Sequence, residues 1–398
     1  MSNLNLKVID EINQIDIAAM TSEMIQIPSY TGMDRQEEKI AGYIYQFFCD
    51  YGIDVWYQEV SPGRPNVIAK LPGTAGGNSL MLSGHIDTVE PYDMNDALSG
   101  KINDGLILGR GACDMKGPLA AMMAAIAGIK KSGIRLKGDL FFSALVDEEM
   151  EGTGVEMLVR DGPIATSTIM GEPTGMAICL GHKGLEWIRV KILGKKVHSG
   201  NMEMGINAIA MAAHFIEYIE KKYKAKLANR THPILGNATI NVGIIGGGDQ
   251  PSTVPDLCEI ALDRRYLPSE TRDQVYSELR EIEDELIKEY PDFRAYIEPY
   301  FGDFELLPHD PFCSDSGIDL VKSVKKARGL VGADEGELSA FPAWSDAGII
   351  SNYSSSECIV MGPGDLSLAH SIRESIGVDE LKEAALIYGM TATDYCGG

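Results

Sequence analysis

Hydrophobic and polar positions in the first 180 residues follow two alternating periods. Apolar residues spaced by three or four predict amphipathic helices, and short apolar runs between them predict strands. Helices that alternate with nearly continuous apolar strands indicate an α/β sandwich around a mostly parallel sheet. The predicted helices are 9–25, 34–51 and 118–129, and the predicted strands are 55–60, 66–71, 80–83 and 139–146.

The pattern changes near Gly181, where hairpin-like pairs of strands interleave with two helices. This arrangement predicts a smaller inserted α+β domain over 181–300. Helix–strand alternation then resumes, so a larger α/β/α domain is expected to comprise 1–180 and 301–398. The predicted strands of the insert are 185–193, 239–245, 257–266 and 295–300, its predicted helices are 208–222 and 269–290, and later elements are predicted at 316–327, 357–362 and 378–391.

Composition narrows the kind of protein. A chain of 398 residues exceeds the ~250–300 residues of a usual single core, which supports two domains. The formal net charge of −23 repels nucleic acid and anionic membranes, so neither is an expected partner. We expect no signal peptide and find no apolar stretch of ~20 residues. Seven scattered cysteines without a Cys-x-x-Cys motif favour reduced thiols and a cytoplasmic location.

His85 and Asp87 close an apolar run and are the first candidates for chemistry. Because alternate side chains of a strand point to the same face, these two can point the same way. The imidazole can then bind a metal ion through one nitrogen while the carboxylate orients the ring through the other. The pair alone is a weak signal, so the acidic residues downstream decide its meaning.

Acidic residues follow at the ends of further apolar runs. Asp114 lies in a glycine-rich segment before a predicted helix, where it can bridge two metals or cap the helix; beside His85 we favour the ligand. Glu148 and Glu149 end the strand predicted at 139–146. One of them can bind metal while the other faces substrate as a general base, and a solvated acidic loop is the alternative.

Glu172 and His370 complete the set, each after an apolar run and at a loop rich in Gly and Pro. Either residue alone would be interpreted as an ordinary loop residue. Together the candidates supply His, Asp and Glu ligands in the proportions that zinc accepts. The sequence therefore predicts a metal centre from His85, Asp114, one of Glu148 and Glu149, Glu172 and His370.

The segments around these residues resemble those of one enzyme family, in order and along nearly the whole chain. They read His-x-Asp-Thr-Val, Gly-Arg-Gly-x-x-Asp-Met-Lys-Gly, Asp-Glu-Glu, Gly-Glu-Pro and a terminal Gly-Pro-Gly before His370. They are similar to aminoacylase, acetylornithine deacetylase, succinyl-diaminopimelate desuccinylase and the carboxypeptidase that releases glutamate from folates. The resemblance implies a di-zinc amidohydrolase or exopeptidase whose catalytic domain is interrupted by a lid domain, and a homodimer through that lid. Co²⁺ or Mn²⁺ can occupy similar sites.

Residue by residue, the resemblance assigns roles at the metal centre. Asp87 would orient His85. Glu148 would be the general base that takes a proton from the attacking water and passes it to the leaving nitrogen. That water would bridge two metals ~3.5–4 Å apart. The implied ligands are His85, Asp114 and Glu172 for one metal, and Asp114, Glu149 and His370 for the other.

The inserted domain carries three further resemblances. His198, in Lys-Val-His-Ser-Gly, resembles a lid histidine that stabilises the oxyanion, commonly across a dimer, and a surface histidine is the alternative. Arg265 would clamp a substrate carboxylate, or else form a surface salt bridge, and Asn207 lies at another family position, predicted to bind substrate. Ser252 stands where many relatives carry Asn, which leaves the lid's substrate contacts open.

The leading hypothesis is metal-dependent hydrolysis of the amide bond in a small N-acyl amino acid. The ligand position at 172 is Glu and not Asp. In this it resembles the family branch that acts on N-acyl amino acids or C-terminal residues more than the dipeptidase branch. A carboxypeptidase or dipeptidase that acts on short peptides is the alternative, since the sequence leaves the extent of the pocket open. A non-catalytic binding protein that keeps the fold is a remote alternative, because decayed relatives would have lost ligands or the base.

Overall fold

The structure is a computed structural model, which describes residues 3–301 and 306–397. Contacts between residues divide the chain into two units. The first unit comprises Met1–Gly181, Ser314–Phe341 and Ser345–Gly398, and the second comprises His182–Cys313 and Pro342–Trp344. The second unit therefore extends beyond the predicted boundary at 300.

Contacts made by residues 309–310 explain the longer second unit. The Leu185 N–H donates to the backbone oxygen of His309 (2.9 Å), and the Tyr266 hydroxyl donates to Asp310 Oδ1 (2.8 Å). The ring of His309 also stacks on Trp344, with ring centroids 4.1 Å apart. The chain returns to the first unit at Ser314 and not at the predicted 301, which corrects that boundary.

Secondary-structure elements are numbered along the chain. The helices are α1 (Asn3–Asn13), α2 (Ile17–Gln26), α3 (Glu38–Asp50), α4 (Gly117–Ser132), α5 (Thr153–Asp161), α6 (Ala208–Tyr218), α7 (Lys224–Ala228), α8 (Arg272–Glu289), α9 (Asp319–Val331), α10 (Ala347–Tyr353) and α11 (Val378–Tyr395). The strands are β1 (Asp54–Ser61), β2 (Arg64–Leu71), β3 (Leu80–His85), β4 (Lys101–Asn103), β5 (Leu106–Leu108), β6 (Leu140–Leu145), β7 (Ser167–Met170), β8 (Ile178–Cys179), β9 (Gly181–His182), β10 (Gly184–Leu193), β11 (Val197–His198), β12 (Thr231–His232), β13 (Gly236–Asn237), β14 (Thr239–Gly247), β15 (Thr253–Val254), β16 (Leu257–Tyr266), β17 (Ala295–Pro299), β18 (Phe312–Cys313), β19 (Leu338–Ser339), β20 (Glu357–Val360) and β21 (Ser375–Gly377).

The first unit is built on an eight-stranded sheet in the order β1-β2-β6-β3-β7-β20-β8-β19. Its centre is parallel, because β3 pairs in parallel with β6 and β7, and β7 pairs in parallel with β20. The three central strands β3, β6 and β7 are buried along their whole length, as expected for strands covered on both faces. The predicted mostly parallel sheet of an α/β fold is confirmed.

Helices pack around this sheet in two groups. The helix α4 packs against α1, α2 and α11, while α5 packs against α10 and β1. One stretch, Ala112–Ser132, is long and apolar enough to span a membrane, although the sequence pattern predicted no such stretch. Its residues 112–129 are buried inside the protein, whereas Lys130 and Lys131 near its end are exposed. Its place in the core accounts for its apolar composition.

The predicted helix over 9–25 is two helices in the structure, α1 and α2. Asp16 caps the second of them by accepting a hydrogen bond from the Ala19 N–H (3.0 Å). The apolar period continues through the break because Ile12 and Ile17 are both buried. The helices α5 and α10 are short and were not predicted.

The second unit contains a four-stranded antiparallel sheet in the order β14-β16-β10-β17. Buried and more exposed residues alternate along β10 and β16, so one face of the sheet receives the helix α6. The helix α8 packs against α6 and β17. This is the α+β composition expected for the insert, and its role as a lid stays a prediction.

Candidate metal centre

The candidate site lies where the central strands of the first unit end. His85 is the last residue of β3, and Asp147 to Glu149 follow β6. Glu172 follows β7, and His370 lies in the loop after β20. Because parallel strands end at the same edge of a sheet, this topology brings together side chains that lie far apart in the sequence.

His85, Asp114 and His370 form the centre of the cluster. Asp114 Oδ1 lies 3.0 Å from His85 Nε2, and Asp114 Oδ2 lies 3.3 Å from His370 Nε2. His370 Nε2 also lies 2.9 Å from Oε1 of Glu149. His85, Asp114 and Glu149 each offer a ligand atom, and these atoms lie within 4.8 Å of one another. A carboxylate whose two oxygens face two different histidines has the arrangement of a bridging ligand.

The backbone around Asp114 is irregular. Residues Ala112–Lys116 form a wide π-type turn in which Asp114 has φ −128° and ψ 89°, and its peptide bond to Met115 is cis. Gly111 before the turn has φ +83°, and a Cβ atom there would lie 2.9 Å from Thr88 Cγ2. The turn presents the carboxylate beside β3 in place of a regular helix start, so the capping alternative for Asp114 does not hold in this structure.

Asp87 is buried and makes contacts in two directions. The His85 Nδ1–H donates to the Asp87 backbone oxygen (3.0 Å), whereas the Asp87 carboxylate is 3.5 Å away. The two carboxylate oxygens accept the backbone N–H groups of Glu148 (3.2 Å) and Glu149 (3.0 Å). Asp87 therefore fixes His85 mainly through its carbonyl, and its side chain holds the Glu148–Glu149 pair in place.

Glu172 lies near the same ring nitrogen of His85 that faces Asp114, with Oε2 4.0 Å from His85 Nε2. Its Oε1 is buried and has no hydrogen-bond partner among the described residues. The nearby Asp346 is also fully buried, and neither of its carboxylate oxygens has a partner in the described part of the chain. Unpaired buried carboxylate oxygens are costly, and a bound cation would relieve that cost.

The pKa values of the cluster reflect this excess of negative charge. Burial raises the pKa of Glu148 and Glu172 well above the usual range, and the charge of Asp346 contributes to both shifts. Burial also raises the pKa of Glu149. Hydrogen bonds to Asp114 and Glu149 raise the pKa of His370 to about 10. In the absence of a metal, protons on the histidines and glutamates balance the negative charge of the cluster. A bound cation would supply this positive charge in their place.

Burial alone would raise the pKa of Asp114, but hydrogen bonds from His370 and His85 outweigh burial and lower it. For His85, burial favours the neutral ring, whereas hydrogen bonds to Asp114 and Asp87 prevail and raise its pKa well above the usual value. Asp114 is therefore the carboxylate of the cluster that stays ionised most readily. An ionised carboxylate with one oxygen towards His85 and the other towards His370 is suited to be a ligand shared between two cations.

Two arginines form supporting ion pairs that the sequence pattern did not predict. Arg64 donates to both carboxylate oxygens of Glu37 (2.5 and 2.6 Å) and to Asp147 Oδ1 (3.0 Å), which anchors the loop that carries Glu148. Arg110 donates to Glu374, which in turn contacts the Asp114 turn. These partners are separated by up to 264 residues, so no local pattern could have revealed them.

The predicted residues of the second unit have local partners. His198 is exposed, and its Nδ1 accepts a hydrogen bond from the Gly200 N–H (3.0 Å). Asn207 caps α6, because its Oδ1 accepts from the N–H groups of Ile209 and Ala210. The Arg265 guanidinium donates twice to Asp263, at 2.8 and 3.0 Å. These contacts do not test the predicted roles of the three residues in substrate binding or catalysis.

Known proteins that are similar to this chain include two deformylating or deacetylating enzymes. An N-formyl-4-amino-5-aminomethyl-2-methylpyrimidine deformylase from Bacillus subtilis is 29% identical over 378 residues, which cover 86% of this chain and 85% of the relative. An acetylornithine deacetylase from Myxococcus xanthus is 29% identical over 343 residues, which cover 84% and 85%.

Solved structures show the same fold. The aminopeptidase PepT from Bacillus cereus matches with a TM-score of 0.75 and 24% identity, covering 97% of each chain. The Bacillus subtilis YXEP protein, described as a dinuclear metal-binding peptidase, matches with a TM-score of 0.72 and 16% identity, covering 97% of this chain and 99% of that one.

The cluster of histidines and carboxylates at the end of a mostly parallel sheet, together with these likenesses, defines the class of the protein as a metal-dependent hydrolase. The profile of Peptidase family M20/M25/M40 matches residues 81–394, which include every residue of the cluster. The chain belongs to that family, as its sequence motifs predicted.

Proposed function

We propose that this protein hydrolyses the amide bond of a small N-acyl amino acid at a site that holds two metal ions. The observation that carries the proposal is the position of Asp114, whose two oxygens face His85 at 3.0 Å and His370 at 3.3 Å. The named relatives that remove formyl and acetyl groups favour a deacylase. Their activities belong to those proteins and support the proposal for this one.

The residues present fit a pair of zinc ions. Imidazole nitrogens and carboxylate oxygens are ligands that zinc accepts, and Co²⁺ or Mn²⁺ would find the same donors suitable. The buried, unpartnered Oε1 of Glu172 supports a cation at that position. His85 Nδ1 donates to a carbonyl, which leaves Nε2 available as the ligand atom. The proposed ligands are His85, Asp114 and Glu172 for one ion, and Asp114, Glu149 and His370 for the other.

The bound ions would polarise the amide carbonyl and lower the pKa of a water molecule. Glu148 is the proposed acceptor of the proton of the attacking water, and the hydrogen bond from its backbone N–H to the Asp87 carboxylate, beside the cluster, supports this role. The raised pKa of Glu148 suits a group that must accept a proton and then release it to the leaving nitrogen. Asp87 thus acts on Glu148 by positioning it, in addition to orienting His85.

His198 is the proposed hydrogen-bond donor to the oxyanion, supplied from the second unit of a partner copy. Its Nδ1 accepts the Gly200 N–H, so the neutral ring carries its proton on Nε2. A neutral imidazole with a defined N–H is a suitable donor for a developing negative charge. The pairing of His198 with Thr253 between β11 and β15 fixes the backbone of this residue.

Substrate class is the feature to test first. The protein would be stripped of metal, reloaded with Zn²⁺, and assayed on N-acetyl, N-formyl and N-succinyl amino acids and on dipeptides. The proposal predicts metal-dependent release from the N-acyl amino acids. Preferred release from dipeptides would favour the carboxypeptidase or dipeptidase alternative. Bound metal without turnover of any substrate would contradict both.

We also propose a homodimer through the second unit. In the described part of the chain, β14 pairs only with β16, so the other edge of this nine-residue strand is open. Ile244 and Ile245 on β14 are 57% and 52% exposed. Long, open and apolar strand edges pair readily with another chain, and a second copy offers a matching edge.

A cytoplasmic location remains a proposal as well. All seven cysteines are free thiols in the structure, which supports a reducing compartment. Titration of the native and unfolded protein with a thiol reagent, without reductant, should yield all seven. Disulfides in freshly purified protein would contradict the proposal.

A further inference from the structure

Glu374 is a fully buried carboxylate that lies next to the metal centre and has no role in the proposed reaction. Both of its oxygens are engaged. Oε2 accepts a hydrogen bond from Arg110 Nη1. Oε1 accepts the backbone N–H groups of Cys113 and Asp114, each at 3.2 Å. The carboxylate thus holds the backbone of the residue proposed to bridge the two metals.

The turn at Ala112–Lys116 needs such an acceptor. In a regular helix, backbone N–H groups bond to carbonyls one turn back, but the backbone of Asp114 is not helical. Within the turn, the Lys116 N–H reaches the oxygen of Gly111 (2.9 Å), while the N–H groups of Cys113 and Asp114 turn to Glu374. A buried N–H without a partner is costly, so the conformation of Asp114 depends on this carboxylate.

Glu374 and Arg110 also contact the loop that carries His370. Glu374 follows His370 by four positions, and its backbone oxygen accepts the Gly109 N–H (3.2 Å). Arg110 Nη1, which donates to Glu374, also lies 3.4 Å from the backbone oxygen of Ser371. Two segments that are distant in sequence, one with Asp114 and one with His370, are therefore joined through Glu374 and Arg110.

We propose that Glu374 is a positioning residue that sets the spacing between Asp114 and His370, and thereby the affinity of the metal site they share. The inference rests on the proposed ligand set. Partners that orient metal ligands typically change metal affinity 10–100-fold when they are removed. Glu374 does not touch the metal itself, so its effect is exerted through the backbone of Asp114.

The test is Glu374→Gln, measured by titration of the metal-free protein with Co²⁺ and by the visible absorption of the bound ion. The glutamine keeps the size of the side chain but turns one acceptor into an NH₂ group, which faces either two N–H groups or a guanidinium. We expect one of the two Co²⁺ ions to bind about 10- to 100-fold more weakly, with an altered spectrum. The circular dichroism spectrum should be unchanged.

A matched control is Glu270→Gln in the second unit. Glu270 is also a buried carboxylate that pairs with arginine, accepting from Arg230 (2.7 Å) and from the Leu267 N–H (2.8 Å). Its replacement should lower the melting temperature and leave Co²⁺ affinity at the wild-type value. Equal Co²⁺ affinities for E374Q and E270Q would overturn the inference.

Two further results separate this inference from the proposed function. If wild-type protein binds fewer than two Co²⁺ ions, the ligand set fails and the inference falls with it. If wild type binds two and E374Q binds both equally well, only the role of Glu374 is overturned. Should E374Q fail to fold, Arg110→Lys serves instead: a single ammonium cannot span Glu374 and Ser371, so weaker Co²⁺ binding is expected and unchanged binding overturns the inference.

Discussion

Glu148 is the residue on which the proposed chemistry depends most directly. Glu148→Gln keeps the size of the side chain and leaves every proposed ligand in place, but the amide cannot take a proton. We expect kcat to fall by about 10²- to 10⁴-fold with metal content unchanged, because positioned general bases contribute effects of that size. Steady-state kinetics alongside metal analysis of the same samples would check this.

Glu151 offers a control for that substitution, since it is an exposed glutamate in the same loop. Glu151→Gln makes the same change in charge and should leave kcat near the wild-type value. If both variants lost activity equally, the loss would reflect the charge of the loop, and Glu148 would not be the base.

The Arg265 guanidinium donates two hydrogen bonds to the Asp263 carboxylate, at 2.8 and 3.0 Å. A substrate carboxylate would therefore compete with Asp263 for Arg265. Arg265→Ala should raise KM for substrates with a free carboxylate and leave their amides almost unaffected. Asp263→Asn should act in the opposite direction, lowering KM for the carboxylates by releasing the guanidinium. Equal changes for acids and amides would rule out the clamp.

At the scale of elements, the open edge of β14 gives a test of association. Replacing Ile244 and Ile245 together by Lys places charge along an edge proposed to meet its copy, so we expect the dimer to dissociate. Light scattering after size-exclusion chromatography would report the mass. Ile102→Lys, on an exposed strand of the first unit, is the control and should not change it.

The elements also show what could be predicted from the sequence. Four of the five proposed ligands were predicted because they follow apolar runs, and Asp114 was predicted from its glycine-rich segment. The structure brings the five side chains together, and their role as metal ligands stays a prediction. Glu374 carries no such signal, because its partners are joined only by tertiary folding across 260 or more residues. The return of the chain at Ser314 was missed for the same reason, since contacts of His309 and Asp310 decide it.

For the whole molecule, the cluster makes stability depend on metal and on pH. A carboxyl group whose pKa is raised by folding costs nothing below its unfolded pKa and costs more as the pH rises towards its folded pKa. This applies to Glu148, Glu149 and Glu172. The favourable contribution of His370 is complete below its unfolded pKa and is lost as the pH rises through about 10. Both effects have the same sign.

Metal-free protein should therefore melt at a lower temperature at about pH 8 than at about pH 5. Added Zn²⁺ should raise the melting temperature most at the higher pH, because ligands must be deprotonated to bind; at 100 times Kd, binding adds about 2.7 kcal/mol. Differential scanning calorimetry over pH would measure both. Glu172→Gln should raise the metal-free melting temperature at the higher pH and reduce the gain from Zn²⁺. A metal-free melting temperature that rises with pH would contradict this account.

The order of strands in the first unit has a consequence for how the protein is made. The strand β20 lies between β7 and β8 in the sheet, although the whole second unit separates it from them in the chain. A growing chain on the ribosome thus holds His85 and Asp114 long before the strand that completes their surroundings emerges. Both proposed metal ions can bind only after synthesis has passed His370. Truncated or stalled chains would therefore be released without the complete pair of metal ions.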